Sequence, residues 1–280
     1  MIYTMHTPQP PLTQFVDCFW FVSGTTHYKQ EKVLPGTSID LMFNLGAYHK
    51  VYDNADTARS TTYQDAWISG LQTDYIMMEA VAETEMYGIR FKPGGAYPFF
   101  QMPIAAFRNQ VVEMDSVWGH LVAEIREQLA VVDTLQQRFA VLEQILLRKL
   151  RQDLYGLDAV QFAVQAITQL DHFSSVKALS EQMGLSQKHL IDQFHKMVGL
   201  SPKQFARIVK FNQVLQAIDA TKPVNWAEIA LDCHYYDQAH FNRDFKAFCG
   251  FSPSTYLALR KKFWGRNLEQ GEFTNFVPIR

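Results

Sequence analysis

The chain's 280 residues are 48% hydrophobic and 19% charged with a net charge of −2, an ordinary globular composition with room for two domains. No run of about 18 apolar residues occurs, and Met1 to Gln14 lacks a basic region followed by an apolar stretch, so neither a membrane span nor a signal peptide is expected. The three cysteines (Cys18, Cys233, Cys249) are odd in number and far apart, which argues against a disulfide framework and for a reducing cytoplasm.

Residues 1–110 are dense in aromatics, β-branched residues and turn signals. Phe15 to Val22 reads as a buried segment that ends at Ser23-Gly24. Ser38 to Leu45 reads as a strand entered through Pro35-Gly36 and left at Gly46. Ala66 to Gly70 and Glu85 to Phe91 are further strands, the latter stopped by Lys92-Pro93-Gly94-Gly95. Short strands with such punctuation predict a small β-sandwich or barrel. No metal-ligand spacing appears: His6, His27 and His49 stand in separate segments, without His-x-His or Cys-x-x-Cys. Nor is there a phosphate loop or a nucleophile elbow, so the chain is expected to be no enzyme and to carry no metal or cofactor. A small barrel can hold one small molecule. Phe19, Trp20, Phe43, Trp67, Tyr87 and Phe91 are the candidate walls of such a pocket, or else plain core.

Between Met114 and Arg151 the period changes to about 3.6 residues. Val117, Leu121, Ile125 and Leu129 share one helix face. Asp133 is the expected cap of a second helix, whose Leu135, Phe139, Leu142 and Leu146 form a narrow stripe. Such a stripe suits a dimer seam or packing against the chain's own sheet. Asp158 is expected to cap the helix after the boundary. The predicted division is 1–155 as a β-rich sensor or dimerisation domain with a helical end, 156–264 as a second domain, and 265–280 as a tail.

The second domain says one thing twice. Gly199-Leu200-Ser201-Pro202 recurs as Gly250-Phe251-Ser252-Pro253, and Leu190, Phe194 and Phe205 recur as Phe241, Phe245 and Tyr256. Each unit reads as helix, tight turn, helix and stop, which is a helix-turn-helix made twice. Gly184 supplies the left-handed turn of the first unit and Ser186 caps its second helix. A linker helix from Pro202 to about Ala220, roughly 27 Å long, joins the units so that each can enter one of two successive major grooves. Residues 172–266 hold 13 Lys and Arg against 7 Asp and Glu, while residues 1–171 hold 12 against 19. That places a basic half behind an acidic one, as expected where one half meets phosphates.

Ile229-Ala230, Tyr235, His240-Phe241, Arg243, Phe245-Lys246, Gly250-Phe251-Ser252-Pro253 and Tyr256 resemble the signature of AraC/XylS-type transcriptional regulators. The front half, through Phe15 to Trp20, Leu34-Pro35-Gly36, Ile68-Ser69-Gly70 and Gly88 to Ala96, resembles domains found ahead of some bacterial transcription factors. The resemblance implies an α+β chain, with a β-rich domain ahead of an all-α domain. It also implies sequence-specific binding of double-stranded promoter DNA, with activation through contact with RNA polymerase. The base-reading positions then fall on Lys188, Ile191 and Asp192 in the first unit. In the second they fall on Gln238, Asn242 and Arg243, where glutamine suits adenine and arginine suits guanine. Lys196, Lys203, Arg207, Lys210 and Lys246 are candidates for phosphate contacts. One departure stands out: His234 occupies the turn position where the family has glycine, so that backbone is expected to be strained or reshaped. A small-molecule effector and a homodimer are expected partners, and a membrane is not. A ligand-independent dimeric DNA-binding module, or a DNA-tethered enzyme, is the alternative.

Overall fold

The computed structural model describes residues 2–279 apart from 27, 55, 57, 80–82, 152, 170–172, 174 and 265–274, so His27 and most of the tail lie outside the described residues. The front half holds β1 (Ile2–His6), β2 (Val16–Gly24), β3 (Gln30–Val33), β4 (Ile39–Asn44), β5 (His49–Tyr52), β6 (Ser60–Tyr63), β7 (Ala66–Ser69), β8 (Ile76–Glu79), β9 (Thr84–Phe91) and β10 (Val111–Glu113). Helices α1 (Asp115–Trp118), α2 (Leu121–Val131) and α3 (Leu135–Lys149) close this half, and α4 (Leu157–Thr168) leads into α5 (Val176–Gln182) and α6 (Gln187–Val198). There follow α7 (Pro202–Ala217), α8 (Trp226–Asp232), α9 (Gln238–Cys249), α10 (Pro253–Trp264) and a last strand, β11 (Phe276–Pro278).

The strands form two antiparallel sheets, a six-stranded one in the order β1-β2-β9-β4-β7-β10 and a five-stranded one in the order β11-β3-β8-β5-β6. The large sheet is buried on both faces, so β2 reads as one continuous apolar run. Successive side chains point to opposite faces. Phe19, Phe21, Leu41, Phe43, Tyr87, Ile89 and Phe91 therefore pack in the main core with α2, α3 and the turns after β9, while Trp20, Val22, Trp67 and Met86 belong to a second cluster between the sheets.

The helical stripe takes the second of its two readings, packing within the chain, and its cap corrects one expectation. Phe139, Leu142 and Leu146 are buried in the main core and Leu135 packs at its edge, so the stripe is not a free seam. The cap of α3 is Thr134, one residue after Asp133. Its hydroxyl accepts from Gln137 N–H while the Gln137 side chain accepts from Thr134 N–H, a reciprocal box that Asp133 cannot make. Likewise Gly156, with φ of 83°, precedes α4, and Asp158 sits inside its first turn, where its charge meets the helix N-terminus. The linker helix α7 stops at Ala217, short of Ala220, because Asp219 accepts hydrogen bonds from Thr221 and turns the chain.

The tail carried no readable signal in the sequence, yet β11 pairs antiparallel with β3 and makes the edge of the small sheet. Leu34 N–H donates to the Asn275 carbonyl at 2.7 Å and Ile279 N–H to that of Gln30 at 2.8 Å, bracketing the pairing. Arg260, buried in the second half of α10, donates to the Phe276 carbonyl at 3.3 Å.

Candidate nucleic-acid interface and the cavity behind it

Both helix-turn-helix units are set by local caps. In the first, Ser175 accepts from Ala178 N–H at 3.1 Å and Ser186 from His189 N–H at 3.2 Å. Gly184 takes φ of 65° between them. In the second, Asn225 accepts from Glu228 N–H and Asp237 from His240 N–H. The turn residue His234 takes φ of 60°, and Lys210 Nζ pins it by donating to its carbonyl at 3.0 Å. A non-glycine residue there costs about 1–2 kcal/mol, against about 0.4–1 kcal/mol of chain entropy that glycine would forfeit. His234→Gly should therefore raise stability by about 0.5 kcal/mol in paired urea titrations; a lowered midpoint would mean that the imidazole's own contacts outweigh the strain.

Leu190, Phe194 and Met197 point inward from α6, and Phe241, Phe245 and Phe248 from α9; all are buried. Edge-to-face pairs lock each unit to its neighbours, Phe194 with Phe205 at 5.6 Å and Phe245 with both Phe211 at 5.4 Å and Tyr256 at 5.5 Å. Fixing the inward face fixes the outward one. Lys188, Ile191 and Asp192 on α6 are exposed together, as are Gln238, Asn242 and Arg243 on α9.

The proposed phosphate contacts divide. Lys203 and Lys246 are exposed. Arg207 Nη2 lies 2.8 Å from Asp244 Oδ1 and ties α7 to α9, Lys210 holds the His234 turn, and Lys196 Nζ lies 5.5 Å from the centre of the Tyr97 ring in the front half. Those three have partners within the protein.

Each reading helix rests its C-terminal end on the front half. A Cβ at Gly199, after α6, would stand 3.2 Å from Ile104. After α9, Lys32 Nζ donates to the Cys249 carbonyl at 3.3 Å and sits 3.5 Å from the centre of the Tyr75 ring and 4.0 Å from that of Phe251. The negative end of a helix and two aromatic faces thus hold this ammonium, and burial lowers its pKa. The N-terminal turns of α6 and α9, the ends that meet base edges in a helix-turn-helix, are the ends away from these docks.

Between the sheets lies a cavity of about 170 Å³. Trp20, Met42 and Trp67 line it from the large sheet, and Val51, Met78 and Phe276 from the small one. Of the six aromatic candidates, only Trp20 and Trp67 reach it. Phe19, Phe43, Tyr87 and Phe91 face the helices, because the period of two puts neighbours such as Phe19 and Trp20 on opposite faces. The polar lining was not singled out from the sequence: Glu31, His49 and the Asp40–Arg90 pair, 3.0 Å apart. Asp40 also accepts from Trp20 Nε1 at 3.1 Å. A second cleft, of about 280 Å³, separates this wall from Asn212 and Gln216 of α7 and shares Asp40, Arg90 and Phe276 with the cavity.

The free thiols of Cys18, Cys233 and Cys249 are buried, and burial pushes Cys233 up to about 11 and Cys249 to about 12, which leaves neither a nucleophile. Among the described residues no three His, Cys, Asp or Glu side chains converge on a metal-sized site, and no helix is long and apolar enough to cross a membrane.

Residues 179–259 match the family described as a helix-turn-helix domain. This region is an AraC-type DNA-binding domain. Residues 4–113, ahead of the AraC-type domain, match a family described as a domain of unknown function, DUF6597. No curated protein matches the chain. Among solved structures it is similar to ToxT from Vibrio cholerae, at 9% identity and a TM-score of 0.47 over 86% of this chain and 98% of that one. Another ToxT structure, bound to an unsaturated fatty acid, is 10% identical with a TM-score of 0.44 over 85% of this chain and 94% of that one. A probable AraC family transcriptional regulator from Rhodopseudomonas palustris is 25% identical with a TM-score of 0.32, over 36% of this chain and 95% of that one.

Proposed function

We propose that the chain is a cytoplasmic, sequence-specific transcriptional regulator that reads two successive major grooves and answers to a small molecule held between its two sheets. The AraC-type domain makes it a DNA-binding transcription regulator. The observation that carries the control is strand β3. Glu31 lines the cavity on one face of β3, and Lys32 on the other face grips the end of reading helix α9. A ligand that moves this strand by a fraction of an ångström acts directly on the dock of α9. Activation through RNA polymerase rests on the family resemblance. If the chain forms a homodimer, the surface it uses is other than the stripe of Phe139, Leu142 and Leu146.

Selection of binding sites from random duplexes tests the reading. The enriched site should carry two blocks whose centres lie about 10 base pairs apart, one helical turn. Recovery of no preferred sequence would overturn it. Within that site, Arg243→Ala should lose about 1–3 kcal/mol and relax choice at one base pair. An unchanged selection profile would remove Arg243 from the reading set.

A further inference from the structure

The cavity wall is apolar apart from a few polar groups, and those groups differ in whether the protein satisfies them. Arg90 is neutralised by Asp40, which also takes the Trp20 indole N–H. Glu79, at the rim, is paired with Lys50 at 3.2 Å. Glu31 has a hydrogen bond from the Tyr28 hydroxyl at 2.8 Å and no ion pair among the described residues. His49, only 5% exposed, lines the same cavity, and its Nε2 is buried with no hydrogen-bond partner among the described residues. Glu31 stands opposite Met78, and Met78 opposite Val51, two residues from His49 on the same face. Two strand spacings across and two residues along put Glu31 and His49 roughly 12 Å apart at the backbone. The indoles of Trp20 and Trp67 line the same cavity from the large sheet, the Trp67 ring 5.2 Å from that of His49.

We infer that this cavity binds a small arylalkyl amine in its protonated form, the ammonium seated on Glu31, the ring between Trp20 and Trp67, and a polar group at the far end bonded to His49. A cation is favoured because Glu31 is the lining acid without a cation among the described residues, and the indole faces attract positive charge. An anion would have to displace Asp40 from Arg90 to find a partner. Size agrees, since an apolar cavity of about 150 Å³ accepts benzene. Burial pushes the Glu31 carboxyl up to about 7, against the Tyr28 hydrogen bond, and pushes His49 down to about 4. The imidazole is therefore neutral at pH 7. An arriving ammonium favours the ionised form of Glu31, so amine binding should strengthen from pH 6 to pH 8. The charged and titratable groups facing the cavity alongside it are Tyr3, Tyr28, Asp40, Arg90, His49 and Glu79.

The inference rests on the reading of the front half as a sensor and is tested on the full chain with three probes of one shape. These are tyramine (a cation), 4-(2-hydroxyethyl)phenol (neutral) and 4-hydroxyphenylacetate (an anion), followed by calorimetry and tryptophan fluorescence. Tyramine should bind tightest and the anion weakest, and Glu31→Gln should weaken tyramine about tenfold or more while leaving the neutral probe unchanged. Tightest binding by the anion, no binding by any probe, or a Glu31→Gln protein that holds tyramine as well as the parent would each overturn it. Binding of the selected duplex by the same preparation without probe is read in parallel. Its survival beside failed amine binding sinks this inference alone, whereas its loss sinks the regulator reading.

Discussion

Leu142→Glu should unfold the front half rather than separate two copies. Leu142 is 0% exposed, between α3 and the large sheet, and shares its core with Phe139 and Leu146. Removing the leucine forfeits about 2–5 kcal/mol of burial and packing, and the carboxylate adds a desolvation penalty unless it takes up a proton. A loss of about 4–5 kcal/mol is expected, which is a large part of the stability of an ordinary domain. Urea titration followed by circular dichroism measures it, and sedimentation of the same protein separates the two roles. A variant with an unchanged midpoint and half the parent's mass would restore the stripe as a seam.

Ending the chain after residue 274 should be nearly as damaging, although it removes only six residues. Val277 is fully buried, Phe276 forms part of the cavity wall and Arg260 loses its carbonyl partner. Burial of two such side chains stabilises by about 3 kcal/mol, and the unpaired edge of β3 is left open to association with other chains. The shortened protein should melt earlier by urea or heat, and its tryptophan emission should shift as Trp20 and Trp67 meet water. An unchanged midpoint with unchanged emission would mean that β11 does not pair in solution.

The C-terminal half was legible because each signal there is local and repeated. Leu190, Phe194, Phe241 and Phe245 fall at helical spacing, the cap Ser186 stands where its helix begins, and the turn expected to be strained or reshaped at His234 takes a left-handed φ of 60°. The front half yielded β2, β4, β7 and β9 of the large sheet but not their faces, and it missed the other strands. A sheet buried on both sides shows no polar alternation, so Phe19 and Trp20 look alike in sequence although one meets the helices and the other the cavity. The small sheet was harder still. Gln30–Val33 and Ser60–Tyr63 are short and polar, and their pairing is decided by partners distant in sequence. Glu31 and His49 were unremarkable for the same reason. A lone acid and a lone imidazole acquire meaning only when two sheets enclose them.

The return of the chain to β3 bears on how the reading heads can move. A body held by one linker swivels in any direction, like a ball in its socket. This one also touches the front half directly, where Gly199 after α6 meets Ile104 and where Lys32 of β3 holds the end of α9. With those contacts in place the two helices do not swivel freely, and a change in their angle to a duplex requires the docks at Ile104 and Lys32 to give.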